Sequence, residues 1–223
     1  MSELRLLTWN VRSLRDDVDA ITAVARACAP DVMVVQEAPR FARWRSKRAA
    51  LARRCGLLVA TADRPGGLAI FATLRAEVTT TSFALLPKTP RRHQRAVTTA
   101  TIKHDGASWC VATTHFSTEP IERSRHLPVL LAGLPSGAPL VLAGDVNEGP
   151  AGPVFRDLAS RFQDAFAVAG SGDGATSPAV NPRRRIDAVF AGPELTVVSC
   201  EVVAVPGVER ASDHRPILAV LRQ

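Results

Sequence analysis

Two short segments set a carboxylate beside a second polar side chain at the edge of an apolar run. Gly144-Asp145-Val146-Asn147-Glu148 follows Leu140-Val141-Leu142-Ala143, and Ser212-Asp213-His214-Arg215-Pro216 precedes Ile217-Leu218-Ala219-Val220-Leu221. Buried strands hold their ends rigidly, so polar groups there can be aimed with the accuracy that catalysis needs. In extended backbone, residues two apart face the same way, and Asp145 and Asn147 can therefore address one cleft. An anion can take a proton from water, while an amide both donates and accepts hydrogen bonds. With an imidazole, these are the parts of metal-assisted hydrolysis. Each segment also has a structural reading, since Gly-Asp-x-Asn closes strands through an Asx-turn and a histidine after a strand is commonly structural.

Four further islands interrupt strand-like runs: Trp9-Asn10, Gln36-Glu37, Thr114-His115-Phe116 and Arg185-Ile186-Asp187. Glu37 directly follows Val34-Val35-Gln36, which places it at a strand terminus. A hard cation such as Mg²⁺ takes carboxylate oxygen and needs only one or two protein carboxylates. Asn10 can ligate or orient the same ion through its amide oxygen, or simply cap the turn after the first strand. Asp187 and His214 suit an orienting pair, in which a carboxylate on one imidazole nitrogen fixes the tautomer and favours the charged ring. His93, His104 and His126 lie in turn-like, exposed or helical contexts and are set aside.

The elements that must position these islands are readable from apolar periodicity. Asp16 and Asp17 can cap a helix whose apolar face is Ile21, Val24, Ala25 and Cys28, with Pro30 ending it. A strand over residues 31–36 precedes an arginine-rich helix over about 39–55, closed by Gly56. Strands follow at 57–62, 68–73, 76–85 and 95–103, and His104-Asp105-Gly106 is a hairpin turn into a strand at 107–114. A helix over 120–131 leads to the strand at Leu140, and a short helix follows Pro150. Strands at 186–191, 195–205 and 217–221 complete the chain, and the Gly-, Ser- and Pro-rich segment 169–185 is expected to be a mobile loop. Two strand-rich halves with helices predict an α/β fold, a four-layer sandwich of two mainly antiparallel sheets packed face to face with helices outside.

At 223 residues a single domain over 1–223 is expected, and 46% hydrophobic residues argue against disorder. No apolar run spans a membrane and no signal-peptide pattern opens the chain, so a cytoplasmic protein, a monomer, is expected. Four cysteines without a C-x-x-C pair read as buried free thiols. The 28 basic and 21 acidic residues give +7, a charge that attracts nucleic acid but also suits phosphorylated lipids and metabolites.

In order and setting, the six islands resemble the endonuclease/exonuclease/phosphatase (DNase I-like) superfamily of Mg²⁺- or Mn²⁺-dependent phosphoesterases, from Thr8 to Pro216. The resemblance implies that Asn10, Glu37 and Asp213 lie at the metal. It implies that Asp145 activates or positions the attacking water, which Asn147 orients together with the phosphate. It makes His214, oriented by Asp187, a general base or electrostatic stabiliser, and His115 a donor to a non-bridging phosphate oxygen. Several nucleases of the superfamily place a tyrosine beside the scissile phosphate, and this chain has none. Arg95 is a candidate substitute, or a solvated strand-end cation. Arg183, Arg184 and Arg185 abut Asp187 and are candidate substrate contacts, whereas the helix from Arg40 to Arg48 reads as ordinary charged surface. Trp44 and Trp109 can stack on bases, and Trp109 is the one better suited to the core. The expected activity is hydrolysis of DNA or RNA phosphodiesters by in-line attack of water. The alternative is a phosphatase or phosphodiesterase for a phosphorylated lipid, sugar or other small molecule. A catalytically silent binding module would lack a ligand or the histidine, and all six islands are present.

Overall fold

Apolar residues on both faces of most strands need cover on both sides, and the chain supplies it by stacking two sheets and laying helices on their outer faces. The computed structural model describes residues 1–223. In chain order the strands are β1 (Glu3–Asn10), β2 (Val32–Gln36), β3 (Leu58–Val59), β4 (Ala69–Ala72), β5 (Glu77–Leu85), β6 (Ala96–His104), β7 (Ala107–His115), β8 (Leu140–Asp145), β9 (Gln163–Asp164), β10 (Asp187–Ala191), β11 (Thr196–Val202) and β12 (Ile217–Arg222). The helices are α1 (Val18–Cys28), α2 (Trp44–Arg54), α3 (Pro120–Ala132), α4 (Pro153–Arg161), α5 (Ala165–Ala169) and α6 (Val208–Ala211). One sheet has the order β11-β12-β1-β2-β4-β3 and the other β5-β6-β7-β8-β10-β9.

Each sheet contains a single parallel pair, β1 with β2 and β7 with β8, and every other pairing is antiparallel. A parallel pair requires a crossover, which α1 and α3 provide. The C-terminal ends of β1, β2, β7 and β8 therefore share one rim of the sandwich with the starts of their antiparallel neighbours β10 and β12. Register makes this concrete: Asn10 pairs with Gln36, His115 with Asp145, and Asp145 with Asp187.

Strand alternation then decides which way these residues point. Leu4 and Leu6, Val32 and Val34, Trp109 and Val111, Val141 and Ala143, and Val189 and Ala191 all enter the core between the sheets. Continuing each run by twos reaches Asn10, Gln36, His115, Asp145 and Asp187. At this rim the inter-sheet face stops being apolar and becomes a polar cluster. The alternate residues Leu7, Trp9, Met33 and Val35 pack beneath the helices of the first sheet.

Asp17 caps α1, accepting from the Asp19 and Ala20 amides, and Asp105 and Gly106 both adopt positive φ in the β6–β7 turn. All four cysteines are buried and free, and Trp109 is fully buried. Three expectations are corrected. The second helix begins at Trp44, not near Pro39, because Arg43 before it takes φ +58° and offers no side-chain cap. His104 is buried, its Nε2 3.4 Å from the Asp31 carboxylate. The segment 169–185 is tied down: Thr176 and Ser177 pair with Arg184, and Ala179 and Arg215 exchange backbone bonds with Asp213 and Thr176.

Candidate functional site

A polar layer separates the apolar core from the rim. The Gln36 side chain donates to Thr8 Oγ1 at 3.1 Å and to Thr113 Oγ1 at 3.0 Å, joining the two sheets. Asp145 lies above this layer, 1% exposed. Its Oδ2 accepts from Asn10 Nδ2 at 3.1 Å, lies 3.3 Å from His115 Nε2 and is 4.0 Å from His214 Nε2. Its Oδ1 accepts from the Asn147 amide at 2.9 Å. The strand can bring Asp145 this close only because the preceding residue is Gly144, at φ +153°, where any Cβ would drive into the Thr114 carbonyl.

His214 Nδ1 bonds Asp187 Oδ2 at 2.8 Å, and the same oxygen accepts from Thr176 Oγ1 at 2.5 Å. Trp9 Nε1 donates to the His214 carbonyl at 2.8 Å, fixing its backbone. Burial disfavours the imidazolium, but the Asp187 charge and hydrogen bond outweigh it and push His214 up to about 9. Asp145 is pushed up to about 7, by burial first and then by the Asp187 charge. His115 moves the other way, well below its ordinary value, through burial and the nearby Arg95 guanidinium. At neutral pH the centre thus holds a charged His214, a neutral His115 and a carboxylate poised to exchange a proton.

Glu37 breaks strand alternation with φ +50°, a left-handed conformation that costs about 1–3 kcal/mol in a non-glycine residue. Its Oε1 lies 3.5 Å from Asn10 Nδ2, so Glu37 and Asp145 share one amide donor. Asn10 Oδ1 accepts from the Arg12 amide at 3.1 Å and keeps a second lone pair. Asn147, at φ +54°, donates from Nδ2 to the Phe116 carbonyl at 3.0 Å. Glu148 braces this loop, accepting from the Val154 and Phe155 amides at the start of α4 and from Arg123 Nε at 3.0 Å.

The remaining residues separate into two groups. Arg95 joins the rim: it lines a cavity of about 280 Å³ with Glu37, Arg40 and His93, and its charge is felt at His115. Asp213 does not meet Glu37; its carboxylate lies 3.4 Å from Arg12 Nε, and it adjoins the centre through Ser212, whose hydroxyl donates to the Asn10 carbonyl at 2.6 Å. Arg183 and Arg184 are exposed, and Arg184 donates to Ser177 Oγ at 3.0 Å. Arg185 is turned inward. It pairs with Asp164 and lies 5.4 Å and 4.7 Å from the Phe155 and Phe166 rings, which leaves its guanidinium no reach to a substrate. Trp44 is ringed by the guanidinium groups of Arg45, Arg48 and Arg64. His126 is a core residue bonded to the Pro87 carbonyl at 2.9 Å.

Both perturbed groups make the metal-free protein sensitive to alkali. A raised folded value for His214 gives stability that is fully present below about 6.5 and is lost as pH rises through about 9. Asp145, raised from 3.8 to about 7, acts in the same direction at lower pH. For His214 the displacement corresponds to about 3 kcal/mol. Urea denaturation in chelator should therefore show these two groups lowering stability between about pH 4 and about pH 9, with His214→Gln losing the part of the fall between about pH 6.5 and about pH 9. An identical fall in that variant would contradict the assignment.

The family pattern described as "Endonuclease/Exonuclease/phosphatase family" matches residues 7–214. No curated protein sequence matches the chain. Among solved structures, an endonuclease/exonuclease/phosphatase from Beutenbergia cavernae is 26% identical with a TM-score of 0.78, over 100% of this chain and 72% of that one. The mannosyl-6-phosphatase of Bacteroides thetaiotaomicron is 16% identical with a TM-score of 0.82, over 99% and 100% of the two chains. TDP2 of D. rerio, complexed with single strand DNA product, is 19% identical with a TM-score of 0.77, over 100% of each. The last two likenesses show the shared fold.

Proposed function

Because the chain belongs to the endonuclease/exonuclease/phosphatase family, we propose that it is a Mg²⁺- or Mn²⁺-dependent phosphoester hydrolase whose substrate is a nucleic acid phosphodiester. The observation that carries this reading is the convergence on Asp145 Oδ2 of Asn10, His115 and His214, within 3.1, 3.3 and 4.0 Å. Asp145 accepts the proton of the attacking water, which Asn147 orients. His214, held charged by Asp187, faces the phosphate and offsets the negative charge that grows on its oxygens. His115, neutral and buried, positions Asp145 through Nε2. Arg95, which lines the cavity with Glu37, serves in place of the tyrosine that the chain lacks and neutralises a phosphate oxygen.

The donor set fits a hard cation. Glu37 and Asp145 share one amide hydrogen-bond donor, and Asp145 is pushed up by burial first and then by the Asp187 charge, a push that a bound cation would oppose. Glu37 and Asn10 would hold the ion, with Asp213 adding charge at the rim. When bound, the ion supplies Lewis-acid polarisation of the phosphoryl group and stabilises the leaving oxygen. Asp187 Oδ2 and His214 Nδ1 are bonded to one another and serve the proton, although the ligand atoms of this pair and that of Asp145 lie within 4.8 Å of one another. The rival reading, hydrolysis of a small phosphomonoester, draws on the fold likeness to the mannosyl-6-phosphatase.

The test is a panel of single- and double-stranded DNA, RNA, phosphoinositides and small phosphomonoesters with Mg²⁺ or Mn²⁺. Oligonucleotides should be cut and chelator should abolish cutting. Glu37→Ala should raise the cation requirement by at least about tenfold to a hundredfold, the range seen when even an outer-shell partner is lost. Hydrolysis of small phosphomonoesters alone would move the substrate to the rival class.

A further inference from the structure

The late start of α2 leaves a loop after β2 in which Phe41 is 75% exposed. Its ring stands on the shared wall of two adjoining cavities, of about 280 and 480 Å³. The first reaches Glu37 and Arg95, and the second leads outward past Lys88. Arg40, Phe41, Gly66 and His93 line both, so the two cavities form one trough that begins at the acidic centre.

The trough is strongly cationic and short of counter-charge. Glu37, at its inner end, is the only carboxylate in the lining. Of the lining cations, Arg92 is held by a carboxylate, Glu119 at 2.9 Å, while Arg15, Arg40, Lys88 and Arg95 form no ion pair. The loop is also built to hold its shape. Buried Arg48 donates to the Pro39, Asp63 and Leu68 carbonyls, and Arg64 donates to the Arg40 carbonyl. The Arg40 guanidinium sits 5.2 Å from the Phe41 centroid and 3.1 Å from His93 Nδ1, which orients it without neutralising it.

We propose that this trough is the path of a single-stranded nucleic acid leaving the scissile phosphate, with a base stacked on Phe41 and flanking phosphates on Arg40 and Lys88. Unpaired cations alone would suit any polyphosphate. The exposed ring among them favours a strand, because every base offers a face to stack and no such ring is needed to hold phosphate. A duplex keeps its bases inside and would leave Phe41 without a partner. This inference rests on the nuclease reading and names which form of nucleic acid the same centre takes.

The test separates the two ideas by measuring binding and cleavage independently. Anisotropy of a labelled oligothymidylate in chelator should show Phe41→Ala binding about tenfold to a hundredfold more weakly than wild type. Phe41→Leu, which keeps bulk but not the ring, should bind as weakly as Phe41→Ala. Lys88→Ala should reduce the slope of log affinity against log salt by about 0.7. With Mg²⁺, the preference of kcat/KM for the oligonucleotide over bis(p-nitrophenyl) phosphate should fall about tenfold or more in Phe41→Ala. Wild-type affinity and preference in both Phe41 variants, with the oligonucleotide still cut, would overturn the trough while leaving the nuclease reading intact. A wild-type protein that hydrolyses the small diester but neither binds nor cuts the oligonucleotide would overturn both.

Discussion

Replacing Asp145 with asparagine should lower single-turnover phosphodiester cleavage about a thousandfold while leaving a folded protein. Asparagine keeps the shape of the side chain and an oxygen for the Asn147 amide, now accepted at 2.9 Å, but it cannot take a proton from water. General-base assistance contributes about 10²–10⁴, which sets the size of the loss. Stability should move the other way. Burial and the Asp187 charge both oppose ionisation of Asp145, so above about pH 7 the wild-type protein carries a carboxylate that its surroundings disfavour. In chelator, Asp145→Asn should therefore lose less stability than wild type as pH rises through about 7, even though its new amide nitrogen meets the Asn10 donor. Loss of activity with a lowered melting temperature would indicate damage to the fold in place of lost chemistry.

The second large effect concerns the pair of His214 and Asp187. His214→Gln and Asp187→Asn should each reduce turnover about 10²–10⁴-fold, and the double variant should be little worse than either. Residues that act as one unit give this non-additivity, because removing the second partner deletes nothing that still functions. A further signature is available in the single Asp187→Asn variant. Without the Asp187 charge and hydrogen bond, burial is opposed only by the charges of Asp145 and Asp213, and His214 should fall from about 9 in an NMR titration. Additive losses, or a His214 titration unchanged by Asp187→Asn, would dissolve the pair.

Much of this centre is legible in the sequence because strand periodicity does the pointing. Each of Asn10, His115, Asp145 and Asp187 continues by twos the residues that fill the inter-sheet core, so apolar alternation announces their direction. The sandwich is legible for the same reason, together with links too short for crossovers. What resists reading is what depends on distant partners. The run Arg183-Arg184-Arg185 looks uniform, yet Arg185 is drawn inward by Asp164 and the rings of Phe155 and Phe166. Asp213 is turned to Arg12, a partner two hundred residues earlier in the chain that no local pattern announces. The Gly-rich segment 169–185 looks mobile because its anchors, Thr176 on Asp187 and Ala179 on Asp213, are single hydrogen bonds without a sequence period.

Phe41 was hidden by an over-long helix. Read as part of a helix from Pro39, it is one apolar residue among arginines. With α2 beginning at Trp44, it becomes a solvent-exposed ring beside Glu37. The absence of a Ser, Thr, Asp or Asn N-cap between Pro39 and Trp44 is the local signal that the helix has no good early start.

The most direct test of the account is a single turnover of a single-stranded oligonucleotide with Mg²⁺ in heavy-oxygen water, comparing wild type with Asp145→Asn by mass spectrometry. Wild type should cut the strand and place one heavy oxygen on the product phosphate, and the variant should cut about a thousandfold more slowly. Cleavage at the same rate in Asp145→Asn, or a product phosphate without the label, would contradict water attack at this centre.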